Sequence, residues 1–206
     1  ATVFVDGTGA LTTAPFSTTA EGDVLVALVG SDGPTTGANN QNMTISGGGL
    51  TWTRVQRNAV QRGVVEIWTA TAPTVLTNVT VTSTQSVTVV LGGPVNQSLA
   101  VIAFSNASGI GASGIRSGIT ANANATLVTQ GANSLIYGVG NDFDLAITRT
   151  AGAGQTKIHQ FLAPTGDTFW MQSLNSTTTP AGTSVTLNAT AASVDQWNFA
   201  VVEIKR

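Results

Sequence analysis

The chain has 206 residues, and only 9% of them are charged, with 8 Lys and Arg against 10 Asp and Glu for a formal net charge of −2. An ordinary soluble domain carries roughly 25% charged residues. So thin a charge excludes a basic nucleic-acid binder, whose affinity rests on Lys and Arg meeting phosphates, and an apolar content of 42% excludes an acidic disordered chain.

From the N-terminus, the small residue Ala1 suits a mature end left by signal-peptide cleavage. Residues 1–5 (ATVFV) read as an apolar strand, and 6–15 (DGTGALTTAP) as a flexible tether. Such a strand pairs within its own domain or adds to a neighbour's sheet. Residues 24–29 (VLVALV) are apolar on both faces and predict a central strand. No apolar run approaches the roughly 20 residues of a membrane span, so none is expected. Val79, Thr80, Val81 and Thr82 alternate, as a half-buried strand does.

Residues 99–104 predict another central strand, whereas 107–125 are rich in Gly, Ser, Ala and Asn and predict a long loop. Two more central strands follow at 135–139 and 199–204, with clean alternation at 185–188 and 197–201. Turn signals fall between these runs at Asp6-Gly7, Asp32-Gly33-Pro34, Gly47-Gly48-Gly49, Gly92-Gly93-Pro94, Thr165-Gly166-Asp167 and Pro180-Ala181-Gly182. No window carries apolar residues at helical spacing. The pattern predicts an all-β chain with almost no helix. The simplest packing expected is a single antiparallel β-sandwich of jelly-roll type over residues 1–206, with about a dozen strands. No internal repeat is legible.

The motifs yield little catalytic chemistry. Residues 109–114 (GIGASG) match the dinucleotide fingerprint GxGxxG, but no helical pattern follows to face a pyrophosphate. The lone histidine, His159, has no nucleophile elbow to serve, and with no Cys in the chain the common zinc sets are excluded. Asn141, Asp142 and Asp144 form the densest acidic cluster. They suit a turn, a calcium site built on hard oxygens or, less well, a glycosidase carboxylate pair. Four Trp stand in the chain. Most belong to a core, but Trp52, Asp167, Trp170 and Gln172 have the composition of a glycan site, with an aromatic face flanked by hydrogen-bonding groups.

The surface is kept wet by 33 Thr, 15 Ser and 14 Asn. Seven N-x-[ST] sequons occur, at Asn42, Asn78, Asn96, Asn106, Asn124, Asn175 and Asn188, where chance gives roughly three. Turn-rich β sequences and glycosylation of an exported protein both account for such an excess.

Residues 138–144 (GVGNDFD), Arg149-Thr150, 152–155 (GAGQ), His159-Gln160, 166–170 (GDTFW) and 195–198 (DQWN) form a run of motifs. Earlier pieces join them at 22–26 (GDVLV), 50–53 (LTWT) and 66–70 (EIWTA). Together they resemble a recurring module of secreted bacterial proteins that accompanies fibronectin- or immunoglobulin-like domains. The resemblance implies an exported β-sandwich without catalysis of its own, and it assigns no site residue.

The expectation is therefore a non-catalytic extracellular protein, structural or adhesive. It assembles with copies of itself or other cell-surface proteins through strand or edge contacts that its two lysines, Lys157 and Lys205, guard thinly. The alternative is a carbohydrate-binding module. Calcium is the one cofactor the residues suit, and neither a nucleic acid nor a membrane is expected as a partner.

Overall fold

The computed structural model describes residues 1–33, 41–85 and 94–206, so the predicted turns at Pro34 and at Gly92-Gly93 fall outside the described residues. Sixteen strands occur among the described residues, and no helix. The first eight are β1 (Thr2–Thr8), β2 (Leu11–Thr12), β3 (Val24–Ser31), β4 (Met43–Gly47), β5 (Thr53–Asn58), β6 (Val64–Thr71), β7 (Val81–Gln85) and β8 (Asn96–Phe104). The second eight are β9 (Gly109–Gly118), β10 (Asn122–Val128), β11 (Leu135–Phe143), β12 (Thr150–Ala151), β13 (Gln155–Leu162), β14 (Thr168–Leu174), β15 (Ser184–Thr190) and β16 (Gln196–Lys205).

All pairings are antiparallel, and they build four sheets. The first half gives an inner sheet β1-β8-β3-β6-β5 and an outer sheet β2-β7-β4. The second gives an inner sheet β9-β16-β11-β14-β13 and an outer sheet β10-β15-β12. Adding eight to each strand of the first half yields the second, so the topology is a tandem repeat. A β-sandwich is present as expected, but two copies stand where one was expected, each divided five strands and three.

Three apolar layers hold the four sheets together. Leu25, Ala27 and Val29 of β3 face Met43, Ile45 and Val81 of the first outer sheet. On the other face of β3, Val24, Val26 and Leu28 meet Val139, Met171, Ala200 and Val202 of the second inner sheet. Beyond it, Trp170, Trp197, Phe199 and Val201 pack on Ala123, Ala125, Val185 and Leu187 of the second outer sheet. This layering explains the hydrophobic patterns. The inner strands have a core on each side and read as continuous apolar runs, whereas Val185, Leu187 and Ala189 point inward and Ser184, Thr186 and Thr190 outward.

Two expectations are corrected. The predicted loop at 107–125 is mostly strand, as β9 and the start of β10, because Gly, Ser and Ala suit an edge strand packed closely against its neighbours. The tether at 6–15 is also largely paired: β1 runs in register with β8 as far as Thr8 opposite Asn96, and Leu11 and Thr12 pair with Ser83 and Thr82. The N-terminal strand is thus engaged within its own sheet. Among the described residues no helix is long and apolar enough to cross a membrane.

Candidate functional site

The end of β3, the β5–β6 turn and the start of β8 meet the corresponding turns of the second half at one pole. A set of asparagines holds them there. Asn198 of β16, fully buried, donates from Nδ2 to the carbonyls of Gln61 and Arg62 and to Oδ1 of Asn141, each at 3.1 Å, and its Oδ1 accepts the Gln61 N–H at 2.9 Å. Asn141 Nδ2 donates to the Arg62 carbonyl at 3.1 Å. Asn58 Nδ2 reaches the Arg116 carbonyl at 2.7 Å, and Ser117 Oγ donates to Asn58 Oδ1 at 2.9 Å. Gly63 permits the close approach: its φ is +78°, and a Cβ there would lie 2.2 Å from Asn141 Nδ2. Asparagine is depleted in strands, so Asn58, Asn141 and Asn198 inside strand patterns were a signal of this interface that sequence reasoning passed over.

Five of the ten acidic residues gather at the same pole: Asp32, Asp142, Asp144, Asp167 and Asp195. Asp32 follows β3, and its carboxyl lies beside that of Asp167 in the other half. Burial first, then the neighbouring Asp167 charge, pushes Asp32 up to about 7. Burial raises Asp167 as well, and Thr165 Oγ1 donates to it at 2.9 Å while accepting from Asn96 Nδ2 at 2.7 Å. Burial lifts Asp195 to about 6. Around these carboxyls stand exposed apolar side chains on the turns, namely Val60, Ile119, Leu145 and Val194.

The residues predicted for calcium do not converge. The Asn141 amide is spent on Arg62 and Asn198. Asp142 is buried against Arg149, with Oδ2 accepting from Nε at 2.7 Å and Oδ1 accepting the Thr168 N–H at 2.8 Å. Burial pushes it up to about 7, against the pull of that guanidinium. Asp144 has left the strand at φ 88° and turns to Arg62 at 3.8 Å and Gln196 at 3.2 Å. Asp142 and Asp144 therefore share no face, which also removes the glycosidase pair. Among the described residues no group of three or more His, Cys, Asp or Glu is arranged to hold a metal ion.

The glycan set is corrected likewise. Trp170 has no exposed surface and offers no face to a sugar. It lies beneath Gly140, where a Cβ would sit 2.1 Å from the ring, and the Arg149 guanidinium lies 4.9 Å from the ring centroid. Gln172 is equally buried and bonds to Trp170 Nε1 and Gln155. Asp167 is buried in the pole's own network. Trp52 is half-buried just beyond β4, at the opposite pole, and donates to the Gly47 carbonyl at 3.2 Å. A large aromatic near amides signals a core as readily as a site, and here the core reading holds for Trp170.

His159 joins the two halves along their shared flank. Its ring stacks on Phe4 at 4.5 Å, and its Nε2 lies 2.9 Å from Asp6 Oδ2, both residues of β1. The opposite pole carries the chain ends: the Ala1 amine bonds the Ala103 carbonyl, and the Ser108 N–H bonds the Lys205 carbonyl.

No family model and no curated protein matches the chain. A solved structure titled Red Clover Necrotic Mosaic Virus aligns at 9% identity over 97% of this chain and 79% of that one, with a TM-score of 0.24. At that score the likeness carries no argument.

Proposed function

We infer that the chain is a non-catalytic extracellular protein that acts by contact, as a structural or adhesive unit associating with copies of itself. The observation that carries this reading is the loop pole. A four-layer stack holds turns from both halves together through buried asparagine bonds, and the surface they form carries exposed Val60, Ile119, Leu145 and Val194 beside exposed Asp144 and half-buried Asp32. Exposed apolar groups clustered among polar ones mark contact surfaces.

The sheet edges support assembly less well than the sequence suggests. Edge strand β5 carries Arg54 and Arg57 and a register shift between Arg54 and Gln56. Its counterpart β13 carries Lys157 and a shift between Lys157 and His159. Bulges and cations are the usual guards of an open edge. The exposed apolar turns of the loop pole in one copy therefore meet a different surface of the next. Such a contact is heterologous and builds open-ended assemblies.

The test is light scattering with negative-stain microscopy over a concentration series. Association that grows with concentration and is lost in Ile119→Asp/Val194→Asp, with the melting temperature unchanged, is the expected result. Uniform monomers at every concentration overturn the reading.

A further inference from the structure

The structure sorts six of the seven sequons into two groups, and we propose that Asn78, Asn106 and Asn175 are N-glycosylation sites that clothe the pole opposite the loop pole. All three are exposed and stand just beyond strand ends: Asn78 between β6 and β7, Asn106 after β8, and Asn175 after β14. β6, β8 and β14 run from the loop pole and β7 runs back toward it, so all three asparagines lie at the far one. Asn78 and Asn106 sit at turn tips with φ of 54° and 58°. Neither side chain makes a hydrogen bond among the described residues, and Asn175 uses only its Oδ1, which accepts from Thr156 Oγ1 at 2.6 Å. Their second-following residues, Thr80, Ser108 and Thr177, are at least partly exposed.

The other sequons are structurally occupied. Asn96 is buried, with Oδ1 accepting from Thr8 at 2.9 Å and Nδ2 donating to Thr165 at 2.7 Å. Asn124 spends Nδ2 on the Asn122 carbonyl at 3.3 Å and Oδ1 on Arg116. Asn188 is half-buried under Gly152, where a Cβ would lie 2.3 Å from its Oδ1. Asn42 is set apart, because it lies at the loop pole beside residues outside the described structure.

The chemistry requires a free amide at a turn. The Asn Nδ2 attacks the anomeric carbon of an oligosaccharide carried on a lipid pyrophosphate. The N–C bond forms as the C–O bond to phosphate breaks, the lipid pyrophosphate leaves with the electron pair, and one amide proton passes to a base. Nothing is oxidised or reduced. A bulky, solubilising glycan on each of these turns covers one pole and leaves the apolar turns of the loop pole bare for contact.

Glycopeptide mapping of the full protein isolated from its source tests this. Sugar on at least two of Asn78, Asn106 and Asn175, with Asn96, Asn124 and Asn188 unmodified, is the expected result. Thr80→Ala, Ser108→Ala and Thr177→Ala are each expected to abolish occupancy at their own site alone, although the acceptor amide remains. Sugar on one or none of the three overturns the proposal, and so does sugar on Asn96, Asn124 or Asn188.

Discussion

At the scale of single residues, the buried polar groups do more to define this molecule than the hydrophobic ones. Asn198 accepts from the Gln61 N–H and Ser117 Oγ and shares its two Nδ2 hydrogens among the carbonyls of Gln61 and Arg62 and Asn141 Oδ1, contacts that the apolar layers cannot supply. Replacing it with Ala leaves the buried Asn141 Oδ1 and the half-buried Gln61 N–H without a partner, at roughly 1–3 kcal/mol per buried group. Asn198→Ala is therefore expected to lose about 3 kcal/mol in urea unfolding, and a loss under about 1 kcal/mol would show that water replaces the amide. The Asp142–Arg149 pair is fully buried on both sides. Arg149→Met leaves a buried carboxylate uncompensated and should cost about 3–5 kcal/mol, part of which Asp142→Asn in the same chain restores. The sequence showed Asp142 as acidic and Arg149 as part of a motif. It could not show that the two meet, because the loop between β11 and β12 makes the pairing.

At the scale of elements, the existence of strands was legible and their arrangement was not. Runs apolar on both faces, such as those of β3, β8 and β16, identified central strands because each has a core on either side. The same runs concealed the second sandwich: period-two patterning says which faces are buried, not which sheet buries them. The strand at β9 was missed because GIGASGIRSG has the composition of a loop. Its conformation is imposed by pairing with β16, so tertiary context overrides propensity. The N-terminal strand illustrates a second limit. It reads as apolar and detachable, yet Phe4 and Asp6 fasten it to His159 of the other half. His159→Ala is expected to speed amide hydrogen exchange across residues 2–8 while β3, at the centre of its sheet, stays protected. Equal exchange in both proteins would mean that pairing with β8 alone holds the strand.

At the scale of the whole molecule, the distribution of carboxyls sets the response to pH, and the sign can be worked out from their surroundings. Asp32, Asp167 and Asp195 are raised above their ordinary value of 3.8 by burial, Asp32 to about 7 and Asp195 to about 6. Between about 4 and 7 the folded chain therefore holds more protons at the loop pole than the unfolded chain does, so stability falls as pH rises through that window. The far pole works in the opposite sense. Burial acts to raise Glu203, but Ser134 Oγ and the N–H groups of Gln130, Ala112 and Gly131 outweigh it and hold the carboxyl below its ordinary value. Asp23 is lowered in the same way by Thr19 and Ala20. These two groups favour the fold above the ordinary carboxylate range and stop doing so as pH falls through their depressed values. The two poles together place maximal stability in mild acid. The melting temperature at pH 5 should exceed that at pH 8. Asp32→Asn puts a neutral amide beside Asp167 in place of a second charge, so it should raise the melting temperature at pH 8 and flatten the slope between pH 5 and 8. A melting temperature that rises steadily from pH 5 to 8, in the wild type and in Asp32→Asn alike, would show that the carboxyls of the loop pole are solvated and ionised in the folded chain.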